Sequence, residues 1–122
     1  MKLNTYQQDE ATVIEIKGKF LGSLRGGDYK AAIDALEEGA HVVVDLGETE
    51  FMDSTAIGAL IASLTTVRRS GGDVRLANLK KRIRGVFLMT HLLGPVFADY
   101  ASVEAAVESY RAQPNPAPAA EA

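Results

Sequence analysis

The residue types able to do chemistry gather in one stretch, Glu48-Thr49-Glu50-Phe51-Met52-Asp53-Ser54-Thr55-Ala56-Ile57-Gly58, just before an apolar helical pattern. Ser54 and Thr55 fall at the helix start, where unpaired backbone N–H groups and the helix dipole favour negative charge. A phosphate esterified to either hydroxyl would be held by those N–H groups. It would also add about −1.5 to −2 of charge at neutral pH. Asp53, Glu48 and Glu50 lie close by, so the surface would turn strongly anionic without unfolding. The same Asp-Ser-Thr order is also a common capping arrangement, which on its own says nothing of function.

Other chemistries find less support. Ser54 lacks a glycine-x-serine-x-glycine elbow and has no histidine in an evident partner loop, against a nucleophilic role. The piece Gly22-Ser23-Leu24-Arg25-Gly26-Gly27 lacks the lysine and spacing of a P-loop and reads as a loop and helix entry. With no cysteine, and only His41 and His91 as histidines, neither a disulfide framework nor a metal site is expected, and no cofactor is implied. Lys80, Lys81, Arg82 and Arg84, with Arg68, Arg69 and Arg75, make the middle of the chain locally basic. No aromatic residues interleave and the net charge is −3, so a solvated helix face is expected rather than a nucleic-acid or lipid surface.

The elements that must position the stretch follow from patterning. Two strands are expected at 3–8 and 11–17, joined at Asp9-Glu10, the second closing at Gly18. A helix over Leu24–Glu38 carries Tyr29, Ala32, Ile33 and Leu36 at helical spacing and stops at Gly39. His41-Val42-Val43-Val44-Asp45-Leu46 is an unbroken run suited to a central strand covered on both faces. A loop from Gly47 to Asp53 then leads to a helix over Ser54–Ser70, with Ile57, Leu60, Ile61, Leu64 and Val67 as its apolar stripe. Asp53 or Ser54 caps its start and Gly71-Gly72 ends it.

A strand at Asp73–Asn78, a helix marked by Leu79, Ile83, Val86 and Phe87, a short strand at Val96–Ala98 and a helix from Ser102 complete the order. Alternating elements after a hairpin imply an α/β domain with a mostly parallel sheet. Such a fold places its sites on loops at the carboxyl ends of strands. The chain has 122 residues, 47% of them hydrophobic and 24% charged, which suits one globular domain. The domain is expected over residues 1–111, with a disordered tail rich in proline and alanine over 112–122. There is no apolar h-region behind Met1 and no run of about 20 apolar residues, so the expected address is the cytoplasm.

Three segments carry a resemblance: Val42–Leu46 followed by Phe51–Leu60; Arg68-Arg69-Ser70-Gly71-Gly72-Asp73-Val74-Arg75-Leu76-Ala77-Asn78; and Ile83–Phe87 with Phe97–Ala106. Together they resemble STAS domains of anti-sigma factor antagonists, over nearly the whole chain to about Tyr110. The resemblance implies a mixed, mostly parallel sheet of four or five strands packed with about four helices. It further implies a cytoplasmic protein-binding switch and not an enzyme. The implied partner is an anti-sigma factor that is often a serine kinase, with a serine phosphatase resetting the switch. The implied phosphate acceptor is Thr55, with Ser54 as second candidate and Asp53 as the adjacent acid. The implied partner surface takes in Asp53, Ser54, Thr55, Ala56, Glu50, Phe20 and Leu21. Any ATP would belong to the kinase, and an isolated domain of this kind is expected to be a monomer.

Two residues depart from the family pattern. Ala56 stands where a glycine often follows the acceptor, and Leu21 stands where many members have an acid on the partner surface. The second departure leaves room for another role of the same fold: a constitutive docking subunit of a larger assembly, such as a lipid-transport ABC complex or a stressosome-like scaffold.

Overall fold

The computed structural model describes residues 1–114, apart from the side chains of residues 23–26. Its elements run β1 (Lys2–Gln8), β2 (Ala11–Phe20), α1 (Gly22–Asp34), β3 (His41–Met52), α2 (Ser54–Arg69), β4 (Asp73–Ala77), α3 (Lys81–Met89), β5 (Asp99–Tyr100) and α4 (Val103–Ala112). The sheet order is β1-β2-β3-β4-β5. Among the described residues, only β1 and β2 pair antiparallel, as a hairpin turning at Asp9-Glu10, and every other strand pair is parallel. The expected α/β class and mixed, mostly parallel sheet are present, with five strands where four or five were expected and four helices among the described residues.

Because side chains alternate across a strand, the valine run of β3 feeds two cores. Val42, Val44 and Leu46 join Ile14, Ile16 and the buried faces of α1, α2 and α3. Val43 points the other way, with Ala11, Val13 and Ala77, against Val103, Ala106, Val107 and Tyr110 of α4. Three helices therefore cover one face of the sheet and α4 covers the other.

A buried ionic cluster fastens α4. Asp73 and Arg75 of β4 are almost wholly buried, and Arg75 Nε donates to Asp73 Oδ2 at 3.0 Å. Arg75 also donates to Ser109 Oγ at 2.8 Å and to the Gln113 carbonyl at 2.6 Å, and it lies 3.9 Å over the Tyr110 ring. Arg75 thus belongs to the core and not to the basic surface expected of it. Its neighbours Lys80, Lys81, Arg82 and Arg84 are exposed, as a solvated helix face requires. His41 stacks on Tyr110 with ring centroids 4.5 Å apart, a packing role.

Several boundaries differ from the sequence expectations. β2 does not close at Gly18, which takes φ +86°, but continues to Phe20. β3 does not yield to a loop at Gly47 but runs on to Met52, paired with the extended β2. α1 begins at Gly22 and ends at Asp34, earlier at both ends than the apolar spacing suggested. The short strand is at Asp99–Tyr100 and not at Val96–Ala98, where Phe97 makes only an isolated bridge to Leu93. Ala112 belongs to α4, and the rest of the expected tail, from residue 115, lies outside the described residues.

Candidate functional site

β3 delivers the site through two irregularities in its pairing with β2. The partners run Glu15↔Asp45, Lys17↔Glu48, Gly18↔Thr49 and Lys19↔Phe51. Leu46 and Gly47 together face the single residue Ile16, and Glu50 is an extra residue between paired neighbours. Extra residues of this kind bend a strand and re-aim its side chains. The first is sealed by Thr49, fully buried, whose hydroxyl donates to the Ile16 carbonyl at 2.7 Å. The second explains why two successive residues, Glu50 and Phe51, both face solvent, with Phe51 46% exposed.

Asp53 is the N-cap of α2, in extended conformation, and its Oδ1 accepts from the Ala56 N–H at 2.8 Å. The same oxygen accepts from the Thr55 hydroxyl at 2.8 Å and from the Gly22 N–H, at the start of α1, at 3.0 Å. The Gly22, Thr55 and Ala56 bonds, in that order of weight, hold the Asp53 carboxyl below the usual carboxylate range. Ser54 and Thr55 are both exposed. The arrangement thus offers a reachable hydroxyl on the first turn of a helix, beside a carboxylate that stays ionised.

The charge around that hydroxyl is less one-sided than the sequence suggests. Glu48 pairs with Lys17 at 3.6 Å, and Lys19 is exposed on β2 next to Phe51 in the register. Glu50 and Asp53 carry the local negative excess. A shallow cleft of about 100 Å³ opens beside it, lined by Glu50, Phe51, Met52, Ile57, Arg82 and Val86 among others.

Of the residues expected on the partner surface, Asp53, Ser54 and Thr55 come together at the start of α2, with half-buried Leu21 alongside, while exposed Glu50 lines the cleft with Ile57 and Arg82. Phe20 and Ala56 do not join them, as both are 0% exposed. The Phe20 ring packs 5.6 Å from Tyr29, and only its carbonyl reaches the site, accepting from the Asp53 N–H at 3.3 Å. Ala56 contributes its amide through the cap, and its methyl group is core.

Sequence reasoning missed Gly22, which approaches the Thr55 carbonyl and the Ala56 amide so closely that a Cβ would clash with both. It also missed Thr49 and Phe51 as members of a strand. The alternation of Glu48 outward, Thr49 inward and Glu50 outward was the available signal.

The family model of the STAS domain matches residues 2–106. The anti-sigma-B factor antagonist of Bacillus subtilis (strain 168) is 34% identical over 56 residues, 46% of this chain and 51% of that protein, so the match spans about half of each. An anti-sigma-factor antagonist (STAS) domain protein from Planctomyces limnophilus aligns with a TM-score of 0.78 at 18% identity, covering 89% of this chain and 97% of that one. The Bacillus cell fate determinant SpoIIAA in its phosphorylated form aligns with a TM-score of 0.64 at 23% identity, covering 90% and 100%. At such identities the two structures speak for the fold alone. The family model, which spans most of the sequence and the whole sheet, goes further: the chain belongs to the STAS domain family.

Proposed function

We propose that this STAS domain is an anti-sigma factor antagonist: a regulatory binding module that docks to an anti-sigma factor with serine kinase activity and is released when Thr55 is phosphorylated. The observation that carries this reading is the exposed Thr55 hydroxyl on the first turn of α2, bonded to the Asp53 cap, with Glu50 and Phe51 exposed on the end of β3 that leads into that turn. Phe51 supplies apolar contact area and Glu50 supplies charge, as a docking rim requires. A phosphate there adds about −1.5 to −2 of charge inside the contact, which imposes repulsion and a desolvation cost. The chain itself carries out no catalysis. The kinase supplies the nucleoside triphosphate, and a phosphatase returns the hydroxyl by hydrolysis.

Support comes from the half-length resemblance to the anti-sigma-B factor antagonist and from the family membership. Co-purification of the tagged protein from its own host tests the reading. A serine kinase recovered with the unmodified chain and with Thr55→Ala, and reduced about tenfold or more with phosphothreonine at position 55, is expected. Leu21 favours a second reading, since the family resemblance implies an acid at this position of a switched partner surface and leucine supplies none. A transporter ATPase recovered equally with all three forms would establish that constitutive docking role and overturn the first.

A further inference from the structure

The Asp53 carboxylate is shared between two helices. Through Oδ1 alone it accepts from the Ala56 N–H and the Thr55 hydroxyl of α2, and from the Gly22 N–H of α1, 31 residues away in sequence. The Asp53 N–H donates to the Phe20 carbonyl, so its backbone ties the end of β2, and its side chain the start of α1, to the start of α2. Leu21, the N-cap of α1, contributes no side-chain bond of its own. The start of α1 is therefore held from outside, by a residue two positions from the phosphate acceptor.

We infer that phosphorylation of Thr55 unlatches the β2–α1 junction by driving the Asp53 carboxylate off the Gly22 amide. The inference rests on Thr55 being the acceptor. Transfer of the γ-phosphoryl group forms a bond from phosphorus to Thr55 Oγ1 and breaks the bond to the departing nucleoside diphosphate. The hydroxyl proton leaves to a base of the kinase. That proton is the one Thr55 donates to Asp53 Oδ1 at 2.8 Å. The ester oxygen that remains can only accept, so two acceptors would face each other at hydrogen-bond distance, one of them bearing a dianionic group.

The conflict is resolved in favour of the phosphate. Its oxygens are strong acceptors drawn to the N–H groups of the first turn, and the Ala56 N–H that Asp53 now caps is one of these. Rotation of Thr55 offers limited relief, because a β-branched side chain in a helix has few rotamers. Once Oδ1 leaves Ala56 it leaves Gly22 as well, since the same atom serves both. α1 then starts without a side-chain acceptor, and its first turn frays. Phosphorylation changes the shape of the rim as well as its charge.

Amide hydrogen exchange on the full chain, with phosphothreonine installed at position 55 by genetic encoding, tests this. The Gly22 amide is expected to exchange about tenfold faster or more than in the unmodified chain, as a local opening. Amides of β3 at Val42–Val44 are expected to be unchanged. Thr55→Val, which loses the hydroxyl bond without gaining charge, should leave Gly22 within about twofold. Asp53→Ala should open Gly22 without phosphate, and phosphate added to it should open it no further. A Gly22 amide unmoved by phosphorylation, an equal acceleration in Thr55→Val, or a loss of protection throughout the sheet would each overturn the latch. Because the phosphate is installed without a kinase, failure here leaves the kinase-switch reading standing. Absence of a partner kinase would leave this measurement valid.

Discussion

Thr55 and Asp53 form a pair in which one proton joins the helix cap and, under the proposed function, is the proton that phosphorylation would remove. The hydroxyl that a kinase would modify completes the cap of the helix that presents it. This coupling makes a prediction in pH. The Asp53 carboxyl sits below its ordinary value of 3.8 in the folded chain, so the folded state binds fewer protons there than the unfolded state. Its contribution is therefore full above that ordinary value and is lost as pH falls through the lower folded value. Urea unfolding should find Asp53→Asn less stable than the parent at neutral pH, with the difference shrinking below about pH 4. A difference that persisted unchanged to pH 2.5 would show that charge at Asp53 is not what holds the cap. The sequence was informative about Asp53 as the cap and about Ser54 and Thr55 as the first residues of the helix, because capping chemistry is local. It was silent about Gly22 and misleading about Phe20, because the first acts through an approach across 31 residues and the second through packing on Tyr29.

Among the elements, those stabilised by their own pattern were legible. The run Val42–Leu46 reads as a strand because it is buried on both faces, and α2 reads as a helix because Leu60, Leu64 and Val67 recur on one side. The buried stripe nonetheless lies slightly off the axis that the apolar spacing predicts. Ile61 is 37% exposed, while Ser63 is buried through its bond to Tyr29 at 2.8 Å. What the pattern revealed only weakly was the run of β2 and β3 past Gly18 and Gly47, since the two irregularities in pairing leave just Glu48-Thr49-Glu50 in unbroken alternation. Two substitutions test how the elements are joined. Gly22→Ala forces a methyl group into the start of α2 and should cost about 1–3 kcal/mol in urea unfolding. A neutral result would mean that the two helix starts separate freely. Arg75→Met leaves Asp73 buried with Arg68 still on its Oδ1 at 2.9 Å, so about 3 kcal/mol is expected, near the lower end for breaking a buried pair. Amides of α4 should exchange faster in that variant, because Arg75 holds Ser109 and Gln113. Protection of α4 equal to the parent's would show that apolar packing alone holds it.

For the molecule as a whole, the fold keeps its rigid parts and its candidate switch apart. Two cores, one on each face of the sheet, bury the valine run. The Thr55 hydroxyl, the proposed acceptor, stands exposed just past the carboxyl end of β3, and Thr55 is a member of neither core. A modification there can alter a docking rim while the sheet stays intact, as a reversible switch needs. Among the described residues no helix is long and apolar enough to cross a membrane. The most direct test of the central claim is the intact mass of the protein purified from its own host, with peptide mapping across residues 47–67. A single phosphate, located on Thr55, is expected under at least one growth condition. A chain that remains unmodified at Thr55 under every condition tried, or that carries its phosphate elsewhere, would contradict that claim.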